Sequence, residues 1–166
     1  MSLSNLFLSL SGFFLLYSYY RLSIYTPYVD ELWGNIRGNL KKFYIFSIFL
    51  CAIPFILTLY YVNSNNNINP LTMQYIYLGL FGIVIFSIFW MPLSLLYILK
   101  DEDKKFIKIL VLFTLFLVAL SSAFVLYQLS HISDNSTLYL LSFYGMSYFL
   151  FHVFILDFIT WSFFFF

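Results

Sequence analysis

The sequence predicts an all-α, polytopic transmembrane helix bundle with five spans, four being possible. Its orientation is N-terminus out and C-terminus in. Three observations predict this. First, 63% of the 166 residues are apolar and only 9% are charged, where soluble domains carry about a quarter. Second, five apolar stretches cover 3–20, 43–62, 73–99, 106–129 and 138–163, and a helix needs about 20 apolar residues to cross the hydrocarbon core. Third, all 8 Lys and Arg residues fall in segments 21–42 and 100–108, while the intervening loops 63–72 and 130–137 carry none. Basic loops alternating with uncharged ones are the signature of cytoplasmic and non-cytoplasmic sides. Backbone polar groups in lipid must be satisfied internally, so each span is helical. One domain, 1–166, accommodates them all.

The first stretch is the weakest, because Ser4, Asn5, Ser9 and Ser11 dilute it. It has no positive leading region, and Tyr19-Tyr20-Arg21-Leu22 is no small-residue cleavage site, so a retained helix is expected. If it does not cross, the two basic segments still share a side. A short interfacial helix is predicted over 27–33. Thr26 is its cap, Pro27 its first residue, Asp30 and Glu31 sit near its positive end, and Gly34 ends it. Tyr28 and Trp33 then lie at headgroup level, with Arg37, Lys41 and Lys42 as interfacial anchors.

Pro54 interrupts the second stretch and Pro92 the third, each freeing a carbonyl one turn earlier, at Leu50 and Ile88. Kinks are the reading preferred over ion-binding breaks. Gly79 and Gly82, and Ala119 with Ala123 around Ser121 and Ser122, offer faces for close helix approach within one bundle. In the second basic loop Asp101 and Asp103 are expected to cap the fourth helix, and Asp101 and Lys105 form a favourable i,i+4 pair. Lys104 and Lys108 anchor its start, Lys108 by snorkelling. Calcium binding is not expected there, since the ligand spacing and the glycine are missing. Asn135-Ser136-Thr137 matches a glycosylation acceptor, but it sits about two residues from a span and is a poor substrate.

The fifth stretch holds the candidate ligand or ion pathway: Tyr148, His152, Asp157, Thr160 and Trp161. Ionisable residues in membrane helices are costly and point to function. Tyr144, Tyr148 and His152 are spaced by four and form one stripe; Asp157, Thr160 and Trp161 form another. On a regular helix His152 and Asp157 lie about 140° apart, so a His–Asp relay needs a partner on another helix or a distorted helix. Asp157 lies about 28 Å from the start of the stretch. That depth suggests an interfacial carboxylate beside a belt tryptophan, Trp161, within reach of Arg37 or Lys41.

Other chemistries find no support in the sequence. Net charge is +1 and acidic residues intersperse the basic ones, so nucleic acid is not an expected partner. The single cysteine, Cys51, excludes an internal disulfide and reads as inert packing. No metal site, cofactor or catalytic residue is predicted: no nucleophile elbow, zinc motif or phosphate-binding glycine loop occurs. The expected partners are the lipid bilayer and a membrane-protein partner or a second copy. Phe163, Phe164, Phe165 and Phe166 extend past the span and are expected to bury in lipid or a partner. The leading expectation is a non-catalytic subunit or scaffold of a membrane complex. The alternative is a transporter, channel or apolar-ligand binder with a polar site near His152 and Asp157. Size, five spans and a long first loop with a short helix are similar to the tryptophan-rich sensory protein family. That likeness covers architecture and no motif, and no residue role is carried over from it.

Overall fold

The computed structural model describes residues 3–25, 27–100 and 102–166. Thr26 and Asp101, with the caps and the Asp101–Lys105 pair expected of them, lie outside the described residues. Five long helices form the fold: α1 (Leu3–Tyr25), α2 (Gly38–Ser64), α3 (Pro70–Leu99), α4 (Lys104–Ser130) and α5 (Thr137–Phe151). A π-helical segment (His152–Trp161) and a last α-turn (Ser162–Phe165) continue α5. No strand occurs among the described residues.

Among the described residues, four helices are long and apolar enough to cross a membrane: α2, α3, α4 and the continuous Thr137–Phe165. This fits a multi-pass membrane protein. Large apolar side chains point outward all around the bundle, Phe49 at 72% and Phe13 at 71% exposure among them. Such surfaces suit lipid and not water. α1 runs past the expected end at residue 20, through Arg21, and leans on α3, where the Tyr19 hydroxyl donates to the Ser87 carbonyl at 2.7 Å.

α3 and α4 pair along their length, and α2 pairs with α5. Small residues make the first pairing, as their spacing predicts. A Cβ on Gly79 would meet Val125 Cγ2 at 2.5 Å, and one on Gly82 would meet Ser121 Oγ at 2.5 Å. In the second pairing Gly145 lies against Pro54, whose Cβ would be 2.6 Å from an added methyl. Both prolines sit inside continuous helices.

Local signals explain the helix starts. Pro70 opens α3 after Asn69, whose side chain accepts from Leu71 N at 2.9 Å. Ser136 caps α5 by accepting from Tyr139 N at 3.2 Å. Asp103 occupies the cap position of α4 but makes no side-chain cap bond; it holds a left-handed φ of 60° instead. The expected interfacial helix over 27–33 is shorter: only Glu31–Trp33 is helical, as a 3₁₀ turn, after a run of turns. Gly34 ends it as predicted, at φ 55°.

Two apolar clusters fill the interior. One packs around Val62, Ile76, Leu80, Val125 and Met146. The other packs around Ile36, Tyr44, Val111, Leu156 and Trp161, toward the basic end. Both basic segments and the last residues gather at that end. Lys108 Nζ lies 4.7 Å from the Phe166 ring centre, Lys104 Nζ lies 5.8 Å from that of Tyr97, and Asn35 N donates to the Phe164 carbonyl at 3.1 Å. Trp33 joins them: Lys41 Nζ sits 5.4 Å from its ring centre and 2.9 Å from Asp30. Arg37 caps the start of α2 without a side-chain bond and, like Lys42, is exposed. The phenylalanine run departs from expectation. Phe165 stacks on Trp161 and Phe166 meets Tyr97 edge-on within the same chain, and only Phe163, at 81% exposure, points fully outward.

Candidate functional site

α2 turns one face toward α5; besides Val62, its buried positions are the six residues Tyr44, Ser47, Cys51, Pro54, Thr58 and Tyr61. The alternating three- and four-residue spacing is that of a packed helix seam, but four of these six side chains carry hydroxyls. Ser47 falls between the two apolar clusters, and so does His152 on the opposing helix. There a polar layer forms. Ser47 Oγ lies 2.5 Å from the Tyr148 hydroxyl and 2.6 Å from His152 Nδ1. His152 Nε2 lies 3.4 Å from Asp157 Oδ2. Next to this layer the Tyr44 hydroxyl donates to the Leu156 carbonyl at 2.5 Å, and its ring stands edge-on to His152.

The meeting of His152 and Asp157 departs from regular helix geometry. On an α-helix they diverge. The π segment winds more residues per turn, so positions five apart come onto one side. Two further five-residue contacts mark the same register: Thr160 Oγ1 donates to the Ile155 carbonyl at 2.8 Å and Ser162 Oγ to the Asp157 carbonyl at 3.3 Å. In the regular part of α5, Ser142 and Ser147 bond four residues back, to Leu138 and Phe143. Asp157 is therefore turned into the bundle beside His152, 21% exposed, and does not pair with Arg37 or Lys41 at the surface.

Trp161 also departs from expectation. It is 2% exposed, its Nε1 donates to the Leu32 carbonyl at 2.9 Å, and its ring stacks on Phe165 and meets Trp90 edge-on. It closes the core over the first loop instead of marking a membrane interface. Of the predicted pathway residues the structure thus joins Tyr148, His152 and Asp157. It leaves Thr160 in the helix wall and Trp161 in the apolar cluster below. Tyr144, on the same sequence stripe, is exposed.

Sequence reasoning missed Ser47 and Tyr44. A lone serine in Phe-Ser-Ile-Phe carries no signal by itself. The available signal was the seam spacing of the hydroxyl-bearing residues along α2. Cys51 is buried in the upper cluster. Among the described residues no group of three or more His, Cys, Asp or Glu lies together as a metal site.

A largely buried polar layer between two apolar clusters, in a bundle clad with apolar side chains, defines a candidate membrane protein with an interior polar site. No family model matches this chain, and comparison with curated proteins and with solved structures returned no match.

Proposed function

We propose that this chain is a membrane protein of five spans that takes a polar ligand or ion at the layer formed by Ser47, Tyr148, His152 and Asp157. The carrying observation is the convergence itself: a ten-residue π segment brings a carboxylate to a histidine that in turn bonds a serine on another helix. Buried polar groups in lipid-embedded helices are costly, and extended π-helix is rare outside functional sites. In this reading the N-terminus is outside, and the basic segments and the last residues are inside. The gathering of these segments at one end of the bundle supports that orientation.

The test is uptake into proteoliposomes under an imposed ion or pH gradient. His152→Ala and Asp157→Asn are each expected to reduce flux at least tenfold at equal amounts of reconstituted protein. Wild-type flux in both variants removes the reading.

A second reading, a non-catalytic subunit of a membrane complex, has its own support. An apolar groove of about 470 Å³ opens between α2 and α5, lined by Leu50, Ile53, Leu57, Leu140, Leu141 and Tyr144 among others. A neighbouring helix would fill such a groove. Native mass spectrometry from mild detergent tests this: the subunit reading requires a defined stoichiometric partner or second copy, and a monomer free of partners rejects it.

A further inference from the structure

The geometry points to a proton as the ligand of the Ser47–His152–Asp157 layer, with its occupancy setting the helical register of the chain's last span. This rests on the polar-site reading above and names its ligand. The spacing decides which ligand fits. Ser47 Oγ already touches both Tyr148 and His152 at hydrogen-bond distance, and 3.4 Å separates His152 Nε2 from Asp157. Those gaps hold hydrogens and no larger ion. A divalent metal would need several ligands around about 2 Å from its centre, and these atoms are already committed to one another.

The protons can be followed atom by atom. With His152 neutral and Asp157 ionised, the Tyr148 hydroxyl donates to Ser47, Ser47 donates to Nδ1, and Nε2–H faces the carboxylate. The layer then carries a net charge of minus one between two apolar clusters. Adding one proton places it on Nδ1, which now donates to Ser47. Ser47 in turn donates to the Tyr148 oxygen. The hydrogen-bond chain reverses, and the site becomes a neutral ion pair of imidazolium and carboxylate. Burial favours the paired, net-neutral state over a lone charge.

The neighbours do not supply a competing charge. Tyr44 and Cys51 from α2, Tyr148 from α5 and Tyr19 from α1 are the titratable groups around the pair, and none is an amine or a carboxylate. From α4, Val111 and Leu115 pack beside Leu156.

The mechanical consequence follows from the register. Only in the π conformation do His152 and Asp157 meet, so the ion pair favours that winding. Loss of the proton weakens it and leaves the Thr160 and Ser162 hydroxyl bonds to hold the register. Relaxation to α-helix would carry Trp161 and the phenylalanine run around by about 100° and along by about 1.5 Å per residue of register. That breaks the bonds from Trp161 to Leu32 and from Asn35 to Phe164. The sign is fixed: the π register and its docked tail belong to the protonated layer, and both are lost when the proton leaves.

The test uses the full chain in lipid nanodiscs. One arm follows the ring nitrogens of ¹⁵N-labelled His152 by NMR, with His131→Gln removing the other histidine. A second measures the spin-label distance between Phe163→Cys and Leu99→Cys in a Cys51→Ser background. His152 is expected to titrate, and the label distance to change over the same pH interval. In Asp157→Asn the response moves to lower pH, because the carboxylate that favours the imidazolium is gone, and in His152→Gln the distance no longer depends on pH. Thr160→Val, which spares the titrating pair, should shift the distance change to lower pH. A His152 that does not titrate between about pH 4 and pH 9, one unaffected by Asp157→Asn, or a label distance constant through the titration overturns the inference. The uptake assay fails separately: titration with register change but no flux rejects the transport reading alone, and flux without titration rejects this one.

Discussion

His152 is nearly sealed from the surface, yet both of its ring nitrogens face polar partners, Ser47 on one side and Asp157 on the other. A buried histidine on an apolar helix ordinarily needs one satisfied nitrogen to be tolerated; here the whole ring is used. A contrasting carboxylate lies at the opposite end of the bundle. Asp134, in the loop before α5, accepts from Ser136 N at 2.8 Å, from the Tyr61 hydroxyl at 2.9 Å and from Asn65 Nδ2 at 3.2 Å. The Ser136 N–H first, and the Tyr61 hydroxyl next, hold its carboxyl below the usual carboxylate value. A depressed folded value contributes stability above the unfolded value near 3.9, and that contribution fades as pH falls through the folded one. Asp134→Ala should lower the Tm in detergent at neutral pH. The gap to wild type should close in acid below the folded value; a gap that persists there would place the effect in packing.

At the scale of elements, the π segment and the last turn act together. Gly34 is where the first loop meets that turn: an added Cβ would lie 2.5 Å from the Phe164 carbonyl oxygen, and the residue's φ is 55°. Gly34→Ala therefore combines a positive-φ backbone penalty of roughly 1–3 kcal/mol with a backbone clash. The variant is expected to undock the tail, read as faster proteolysis near residues 162–166 with α2–α4 intact. The α3–α4 pairing makes a second prediction. Gly79→Ala should destabilise the bundle, because Val125 occupies the space of the new methyl. Val125→Ala in the same chain should recover most of the loss, since the obstacle is a side-chain methyl. A double variant no more stable than Gly79→Ala alone would show that the Ser121 carbonyl, 3.2 Å away, sets the limit.

At the scale of the whole molecule, orientation remains the property most directly testable. In a Cys51→Ser background, Ser64→Cys and Lys105→Cys should react with impermeant reagent from opposite faces of intact cells or vesicles. Same-side labelling would reject the alternation of loops that composition implies. Much of the helix framework was legible in the sequence, because α2 to α5 are long, predominantly apolar runs separated by polar segments, and Gly79 and Gly82 announced a close helix contact. The short 27–33 helix was less legible, since caps and a proline mark where a helix can start but not how far packing lets it run. The candidate site was half legible. Tyr148, His152 and Asp157 stood out as polar residues in an apolar stretch, while Ser47 did not.

By itself, then, the sequence determined the helical framework and which segments are too apolar for water, because burial in lipid depends on composition along each run. It also determined that polar groups concentrate in the last helix. Only the tertiary structure decided what those groups do together. Regular helix geometry separates His152 from Asp157, and no pattern in the chain signals that ten residues wind as π-helix. That winding, held by contacts five residues apart and by packing of Trp161 against the first loop, turned a surface-bound carboxylate into the partner of a buried histidine.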